Sequence, residues 1–395
     1  GARRKILWKA RPNASGVWDL RNADGAPEGG CAVKIGLYVH IPFCASKCGY
    51  CDFYSITDRA GRHAYADVLV QEILSWKGRG YAADTLFVGG GTPSLMEAGE
   101  LLRILAACRE AFSLDPEGEI ALEANPDSVS LRYLEELRRG GFNRISFGAQ
   151  SIEEAELRAL GRRHDAAAIR RAMDWAGEAG FARRSLDIML GIPYQTRESL
   201  SRTLEAFAAM GPDHLSAYLL KIEEGTPFAR NGAARLCPDD DMAAELYLQT
   251  AERLEKLGYR QYEISNFAKP GGESRHNLKY WRCREYLGFG PAAHSYWNGR
   301  RFYHPRGLAE YLSSGGKNWQ DDGPGGSPEE RLMLGLRLAE GVALSRLGFP
   351  EGEEKRILRK AAPLRDAGLL EMEGDTLRLT PRGFLVSNGI LAELL

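Results

Sequence analysis

The apolar positions of this chain follow two alternating patterns from residue 35 to residue 218. Short runs rich in branched and aromatic residues predict strands, whereas segments in which apolar residues recur every three or four positions predict helices. The predicted strands cover 35–39, 84–88, 119–123, 144–147, 185–189 and 214–218. The predicted helices cover 65–76, 101–112, 131–138, 166–179 and 199–210. This alternation predicts successive βα units, and hence an α/β protein with a parallel sheet or an open or closed barrel.

The pattern changes towards the C-terminus. A Gly/Ser/Pro-rich segment at 313–328 predicts a linker, and a helical pattern at 329–339 opens a small second domain. A helix over 355–367, a hairpin over 369–379 and a last helix follow in the order of a winged helix. Acidic and basic residues are balanced there, so we expect a packing or partner role rather than nucleic-acid binding.

The predicted organisation has four parts. Residues 1–34 show no sustained period and predict a loosely ordered extension. Residues 35–312 form the large domain, 313–328 the linker and 329–395 the C-terminal domain. With 395 residues, 44% of them hydrophobic, the chain is long enough for about two globular domains.

Charge and cysteine content narrow the function classes. The formal net charge of -1 gives no overall attraction towards nucleic acid or an anionic membrane. The sequence contains no apolar stretch of about 18 residues and no secretory h-region, so we expect a cytoplasmic protein. Seven cysteines, three of them within eight residues, favour metal binding over a disulfide framework.

The strongest chemical signal is the spacing of Cys44, Cys48 and Cys51 directly after the first predicted strand. Thiolates are the usual ligands of iron–sulfur clusters, and a [4Fe-4S] cubane held by three of them keeps one iron open. S-adenosylmethionine (SAM) could bind that iron, and an electron delivered to its sulfonium would yield a carbon radical. Zinc is the alternative, because His40 would complete a Cys₃His site.

Polar residues follow the next predicted strands, where a parallel sheet or a barrel carries its chemistry. A glycine-rich segment at 89–94 would let a ligand approach the backbone, although alone it is more typical of a tight turn. The candidate residues in these positions are Gly90, Thr92, Glu123, Gln150, Arg162 and Asp187. Together they could bind a zwitterion and a ribose, whereas each alone is more typical of a solvated surface.

A segment dense in His, Tyr and Trp, HNLKYW at 276–281, lies outside any clear amphipathic period. Histidine is a common haem ligand, and neighbouring aromatic rings would supply a flat apolar surface. His276 is therefore the first candidate for an axial haem ligand and His294 the second, with a hydrogen-bonded structural histidine as the alternative for each.

These motifs resemble the oxygen-independent coproporphyrinogen III dehydrogenase superfamily of radical SAM proteins. The resemblance is carried by residues 38–44, the three-cysteine loop, 89–94, Glu123, 148–151 and 187–193. Within the superfamily the chain is similar to the haem chaperone branch, since 276–281 matches its H-N-x-x-Y-W motif. The dehydrogenase branch carries a fourth cysteine where this chain has Phe53.

The resemblance implies a partial (β/α)₆ TIM-like barrel with a small winged-helix-like α+β domain, and it implies roles for matching residues. Cys44, Cys48 and Cys51 would hold the cluster. SAM would be bound by Gly90, Thr92, Glu123, Gln150, Arg162 and Asp187, with Tyr38 beside it. The implied partners are haem and haem-requiring membrane proteins such as respiratory enzymes, with membrane contact only through the acceptor. The sequence leaves homodimer formation open.

Two other functions are weighed against a haem chaperone. A coproporphyrinogen III dehydrogenase would use a 5′-deoxyadenosyl radical to abstract hydrogen from a propionate, but Phe53 disfavours this activity. A zinc-stabilised protein whose winged-helix end binds nucleic acid or a protein partner is the second alternative.

Overall fold

The structure, a computed structural model, describes residues 34–395. The extension predicted for residues 1–34 lies outside the described residues, apart from Lys34. Six parallel strands form the centre of the fold: β1 (Ile35–Ile41), β2 (Ala83–Gly90), β3 (Leu114–Ala124), β4 (Arg144–Gln150), β5 (Arg183–Leu190) and β6 (His214–Leu219). Each of them contains one of the strands predicted from the sequence.

Helices connect these strands on the outer face of the sheet, and all of them except the short helix at 154–159 correspond to helices that the 3.6-residue periods predict. They are α1 (Arg62–Leu74), α2 (Ala98–Phe112), α3 (Leu131–Gly140), α4 (Glu154–Ala159), α5 (Ala166–Glu178) and α6 (Arg197–Ala209). Side chains that accept backbone N–H groups define several starts, for example Ser130 at α3 and Asp165 at α5. Short 3₁₀ turns at Pro93–Leu95 and Pro126–Ser128 follow β2 and β3.

The chain then adds elements to both edges of the sheet. They are α7 (Pro227–Asn231), a 3₁₀ turn (Ala233–Leu236), α8 (Asp240–Lys256), β7 (Arg260–Gln261), β8 (Asn266–Ala268), α9 (Arg275–Trp281), β9 (Tyr286–Phe289), β10 (His294–Trp297), β11 (Arg300–Tyr303), α10 (Leu308–Ser313) and β12 (Gln320–Pro324). The segment predicted as a linker contains β12, which pairs with β11.

Within residues 34–395 the main sheet has twelve strands in the order β12-β11-β10-β9-β1-β2-β3-β4-β5-β6-β8-β7. The edge strands β12 and β7 do not pair with each other, so the sheet stays open. The expected partial (β/α)₆ barrel is therefore confirmed. Its parallel strands bring their C-terminal ends to one rim, which we call the cysteine rim, and their N-terminal ends to the opposite rim, which we call the floor.

A small α+β domain completes the chain. Its elements are α11 (Pro328–Gly335), β13 (Val342–Ala343), a 3₁₀ turn (Leu344–Arg346), α12 (Glu353–Asp366), β14 (Leu370–Glu373), β15 (Thr376–Leu379), α13 (Pro381–Leu385) and α14 (Ser387–Leu394). The three strands form a separate sheet in the order β13-β15-β14. The predicted hairpin and its flanking helices are present, in the order of a winged helix.

Backbone contacts join this domain to the barrel. Ile264 N donates to Arg337 O at 2.9 Å and Ala339 N donates to Tyr262 O at 3.0 Å, while Glu263 and Leu338 form an isolated bridge. These bonds place residues 337–339 against the turn between β7 and β8. From residue 34 onward, no helix combines the length and the apolar character that crossing a membrane requires.

Candidate functional site

The three cysteines lie in one loop that leaves the C-terminal end of β1. The loop is tied back at its far end, since Cys44 N donates to Ile56 O at 2.9 Å and Ile56 N donates to Pro42 O at 2.7 Å. Cys51 N donates to Cys48 O at 3.2 Å, which turns the last part of the loop. All three thiols are free and half-buried, so they are available at the cysteine rim as ligands.

The surroundings of the sulfurs suit thiolates. Arg162 Nη1 donates to Cys48 Sγ at 3.7 Å, and Thr92 Oγ1 donates to Cys44 Sγ at 3.5 Å. Burial, together with the charges of Cys48 and Cys44, raises the pKa of the Cys51 thiol. A bound metal cluster would remove that penalty by neutralising the thiolates. The residues present therefore fit an iron–sulfur cluster.

Arg162 links two of the cysteines through a short network. Its Nη2 donates to Asn125 Oδ1 at 2.7 Å and to the carbonyl of Gly148. Asn125 Nδ2 donates to Thr92 Oγ1 at 3.4 Å, so hydrogen bonds run from Cys48 to Cys44. Asn125 was not among the candidates from the sequence, although it directly follows β3. Glu123 was chosen because it lies at the end of that same strand.

The structure does not place His40 as a fourth ligand for the zinc alternative. Its Nδ1 shares a hydrogen bond with Tyr38 Oη at 3.0 Å and its Nε2 shares one with Tyr54 O at 2.9 Å. Both ring nitrogens are thus engaged away from the cysteines. Among the residues that the structure describes, no three His, Cys, Asp or Glu side chains could hold a single metal ion. A cubane carries its three thiolates on separate iron atoms, so this spacing does not conflict with a cluster.

The glycine-rich segment packs directly on the cysteine loop. Gly91 N donates to Ile41 O and Thr92 N donates to Phe43 O, both at 2.7 Å. Gly90 has a φ of 111°, and a Cβ there would lie 2.7 Å from the His40 ring. A side chain at position 90 is excluded on both grounds, so a ligand would meet bare backbone beside the cysteines.

Two carboxyl groups face each other inside the barrel near this rim. Glu123 Oε2 accepts from Gly90 N at 3.0 Å, and Ser146 Oγ donates to Asp187 Oδ1 at 3.1 Å. Burial and the charge of Asp187 raise the pKa of Glu123 to about 8, and burial raises the pKa of Asp187 to about 6. Paired buried carboxyls of this kind favour a ligand that brings hydroxyl donors or a positive charge.

Gln150 adds an unsatisfied acceptor at the end of β4. Its backbone φ is 70°, and its side-chain Oε1 is buried with no hydrogen-bond partner among residues 34–395. A buried acceptor left unpaired costs about 1–3 kcal/mol, so a donor from a ligand would be favoured there. The structure thus places Tyr38, Gly90, Thr92, Glu123, Gln150, Arg162 and Asp187 at the cysteine rim, and their role in SAM binding stays a prediction.

Tyr218 is a further residue of this cavity that sequence reasoning missed. It stands near the end of β6, and the buried charge of Asp187 is one of the causes that raise its pKa, after burial itself. The alternation of side chains along β6 offered a signal, because Tyr218 lies two positions after Ser216 and therefore faces the same side of the sheet.

His276 does not join this group. Adding a Cβ to Gly36 would bring it within 3.2 Å of the His276 ring, and Thr85 Oγ1 shares a 2.8 Å hydrogen bond with its Nδ1. Both neighbours belong to the first half of their strands, so His276 lies towards the floor. The residue is 0% exposed, and its Nε2 shares a 2.7 Å bond with Tyr280 Oη. Burial lowers its pKa to about 3.

His294 lies at the other rim. It opens β10, which runs antiparallel to β9, while β9 runs parallel to β1. The start of β10 is therefore at the end where β1 leads into the cysteine loop. The residue is exposed, and its ring stacks on Tyr303 with centroids 5.1 Å apart. The two candidate haem ligands are thus at opposite ends of the barrel.

We predict that Glu123→Gln makes the cluster-free protein less sensitive to alkaline pH. The pKa of about 8 exceeds the ordinary 4.5, so the folded state binds this proton more tightly than the unfolded chain does. Stability therefore falls as the pH rises from 4.5 to about 8, where the folded protein must lose this proton. The amide introduced by Glu123→Gln does not ionise, so the variant lacks this loss of stability. Between pH 6 and pH 9, the loss of Tm should be smaller than in the unsubstituted protein by about 2–4 °C.

Glu135→Gln, on the exposed face of α3, is the matched control for that thermal measurement. It should follow the unsubstituted protein at both pH values. Equal losses of Tm in all three proteins would show that Glu123 carries no raised pKa.

Comparisons with known proteins agree with this geometry. A family model described as the radical SAM superfamily matches residues 38–207, and the HemN C-terminal domain matches residues 327–386. The heme chaperone HemW of Mycobacterium tuberculosis (strain ATCC 25618 / H37Rv) is 36% identical, with 91% of this chain and 94% of that protein covered. The heme chaperone HemW of Bacillus subtilis (strain 168) is 33% identical, with 91% and 98% covered.

One solved structure matches nearly the whole fold. It is the coproporphyrinogen III oxidase HemN from Escherichia coli, described as a radical SAM enzyme. The TM-score is 0.79 at 25% sequence identity, over 92% of this chain and 90% of that one. The barrel and the C-terminal domain therefore occur together in a protein of known structure.

Proposed function

Since this chain belongs to the heme chaperone HemW family within the radical SAM superfamily, we propose that it binds haem and transfers it to haem-requiring proteins. The observation that carries this proposal is the similarity to HemW proteins over 91% of the chain. The similarity covers both the barrel and the C-terminal domain.

Cys44, Cys48 and Cys51 would hold a [4Fe-4S] cluster whose open iron binds SAM. A cluster of this kind supplies an electron that cleaves a carbon–sulfur bond of SAM. Arg162 and Thr92 orient and stabilise the thiolates through their hydrogen bonds to sulfur. Gly90, Glu123, Gln150 and Asp187, with Tyr38 beside them, would bind the rest of the cofactor.

Phe53 argues against the dehydrogenase alternative. It is 69% exposed, two residues after Cys51, and offers no sulfur at the position where the dehydrogenase branch has a fourth cysteine. The solved HemN structure has the same fold, but a shared fold does not transfer an activity. We therefore propose that the barrel serves haem handling rather than oxidative decarboxylation.

His276 remains the first candidate for the axial ligand under this proposal, because it lies in the motif that the haem chaperone branch shares. In the structure its two ring nitrogens bond to Thr85 and Tyr280. Iron can reach Nε2 only after α9 moves away from the barrel, so ligation by His276 requires a rearrangement of that seven-residue helix. His294 needs no such movement and is the alternative.

The proposed setting is the cytoplasm, with membrane-bound respiratory proteins as acceptors. Contact with the membrane would then come through the acceptor. A homodimer is compatible with the proposal and is not required by it.

Anaerobic reconstitution with iron and sulfide, followed by separate assays for haem binding and turnover, tests the function. We expect stoichiometric haem binding, seen as a shift of the haem absorption band, and transfer of that haem to an apo-acceptor. We also expect no protoporphyrinogen IX from coproporphyrinogen III with SAM and reductant. HemN from Escherichia coli is the positive control for turnover. Product formation without haem binding would establish the dehydrogenase instead.

A further inference from the structure

A groove of about 940 Å³ lies at the floor, on the far side of the barrel from the cysteines. One wall is formed by residues at the starts of β3 and β5, and a second by α9. Residues 338–340 of the C-terminal domain close a third side. The volume is at the upper end of the range for ligand pockets, about 300–1,000 Å³.

The groove carries arginines that have capacity for a ligand. Arg260 has no ion pair or side-chain hydrogen bond within the described part of the chain, and Arg183 reaches Asp213 only at 4.0 Å. Arg275 donates to the Glu117 carbonyl at 2.8 Å and keeps 49% side-chain exposure. Arg282 is engaged by Glu340 at 3.1 Å.

Two of the acidic residues that line the groove already form ion pairs with arginines of the protein. Glu119 is paired with the buried Arg144 at 3.4 Å, and Glu340 is paired with Arg282. Glu117 and Glu273 remain as open carboxylates against Arg183, Arg260 and Arg275. The four arginines and four glutamates of the lining balance in charge, but Arg260 has no partner among the described residues and Arg183 has only a distant one, so these two side chains can bind carboxylates of a ligand.

The walls also offer apolar surface for a flat ring. Leu278 of α9 is half-buried and lines the groove, whereas Leu338 of the C-terminal domain is only 3% exposed and adds little surface. Leu278 and Arg282 point into the groove, whereas His276 and Tyr280 of the same helix contact the barrel residues Thr85 and Tyr286. A ligand in the groove would thus lie on the opposite face of α9 from His276.

We propose that this groove is the docking site for the porphyrin, with Arg183 and Arg260 binding its carboxylates and Leu278 contacting its ring. This inference rests on the proposed function and names the site at which haem first binds. No His, Cys or Met lines the groove among the described residues. Docking therefore depends on the carboxylates and the ring, and iron is ligated only after α9 moves.

Metal-free protoporphyrin IX separates docking from ligation, because it has the two carboxylates and no iron. We expect Arg183→Ala/Arg260→Ala to raise the Kd for protoporphyrin IX at least about ten-fold, measured by porphyrin fluorescence on the full chain. The dimethyl ester of protoporphyrin IX should bind the unsubstituted protein weakly, and the double variant should change that little. Arg260→Glu alone should also weaken protoporphyrin IX.

Arg170→Ala/Arg171→Ala, on the exposed face of α5, is the control with the same change of charge. It should keep the Kd within about two-fold. If both double variants bound protoporphyrin IX equally weakly, general charge attraction rather than the groove would explain binding. If the unsubstituted protein bound the dimethyl ester tightly, the carboxylates would not be what is recognised. If Arg183→Ala/Arg260→Ala bound both protoporphyrin IX and haem as well as the unsubstituted protein does, the docking site would be wrong but the proposed function would not be contradicted. Failure of the unsubstituted protein to bind haem would overturn the function itself.

Discussion

Cys48→Ala is expected to leave the protein unable to retain a [4Fe-4S] cluster after anaerobic reconstitution. A cubane fixed by three thiolates loses one corner when Cys48 is removed, and within residues 34–395 the cysteines other than Cys44 and Cys51 lie outside the cysteine loop. Cys48 is also the sulfur to which Arg162 donates at 3.7 Å, so its loss leaves that buried guanidinium with fewer partners. Iron and acid-labile sulfide should fall to less than about one-tenth of the values for the unsubstituted protein.

Cys237→Ala is the matched control, because Cys237 is also half-buried and directly follows the 3₁₀ turn Ala233–Leu236, outside the cysteine loop. It should retain iron, sulfide and the visible absorption of the cluster. Cluster-free forms of both variants should unfold at similar temperatures, which separates cluster loss from misfolding. Stoichiometric zinc without sulfide in the unsubstituted protein would contradict the cluster assignment.

The parallel strands and the cysteine rim were predictable from local sequence. Apolar runs identify β1 to β6 because both faces of a covered parallel sheet are buried, and the predicted run at 35–39 lies inside the observed Ile35–Ile41. Parallel order then brings the C-terminal strand ends to one rim. For this reason Glu123 and Gln150, separated in sequence, could be assigned to the same cavity as the cysteines.

The helix α9 could not be predicted, for a physical reason. A surface helix shows a period because one face is apolar and the other meets water. In α9, His276 faces the barrel, Leu278 lines the groove and Lys279 pairs with Asp84 at 2.7 Å. With partners on several faces, its six-residue motif has no amphipathic period, so the aromatic content of the segment could be recognised in the sequence but its helical structure could not.

The opposite positions of His276 and His294 were also beyond the sequence. They depend on β9, which returns the chain to pair with β1 after nearly the whole barrel has formed. Pairing between residues so distant in sequence leaves no local pattern. The same holds for the bond from Arg162 to Cys48, which joins β1 to the segment after α4.

His276→Ala is expected to weaken haem binding at least about ten-fold while the cluster keeps its iron and its absorption. The histidine and the cysteines lie towards opposite ends of the barrel, so the two readouts should separate. His294→Ala is the control, and it should leave haem affinity unchanged. The reverse result would place the iron at the cysteine rim on His294, where the ring is already exposed.

Because His276 is buried, its binding to haem iron should loosen α9, whereas binding by a surface residue would not. Glu119 holds the start of this helix by accepting from Arg275 N at 3.1 Å and His276 N at 3.0 Å. Haem binding should break these bonds, so amide hydrogen exchange in residues 275–281 should become faster in the haem complex. Slower or unchanged exchange there, with haem bound, would show that α9 stays closed and that His276 serves only to hold the helix on the barrel.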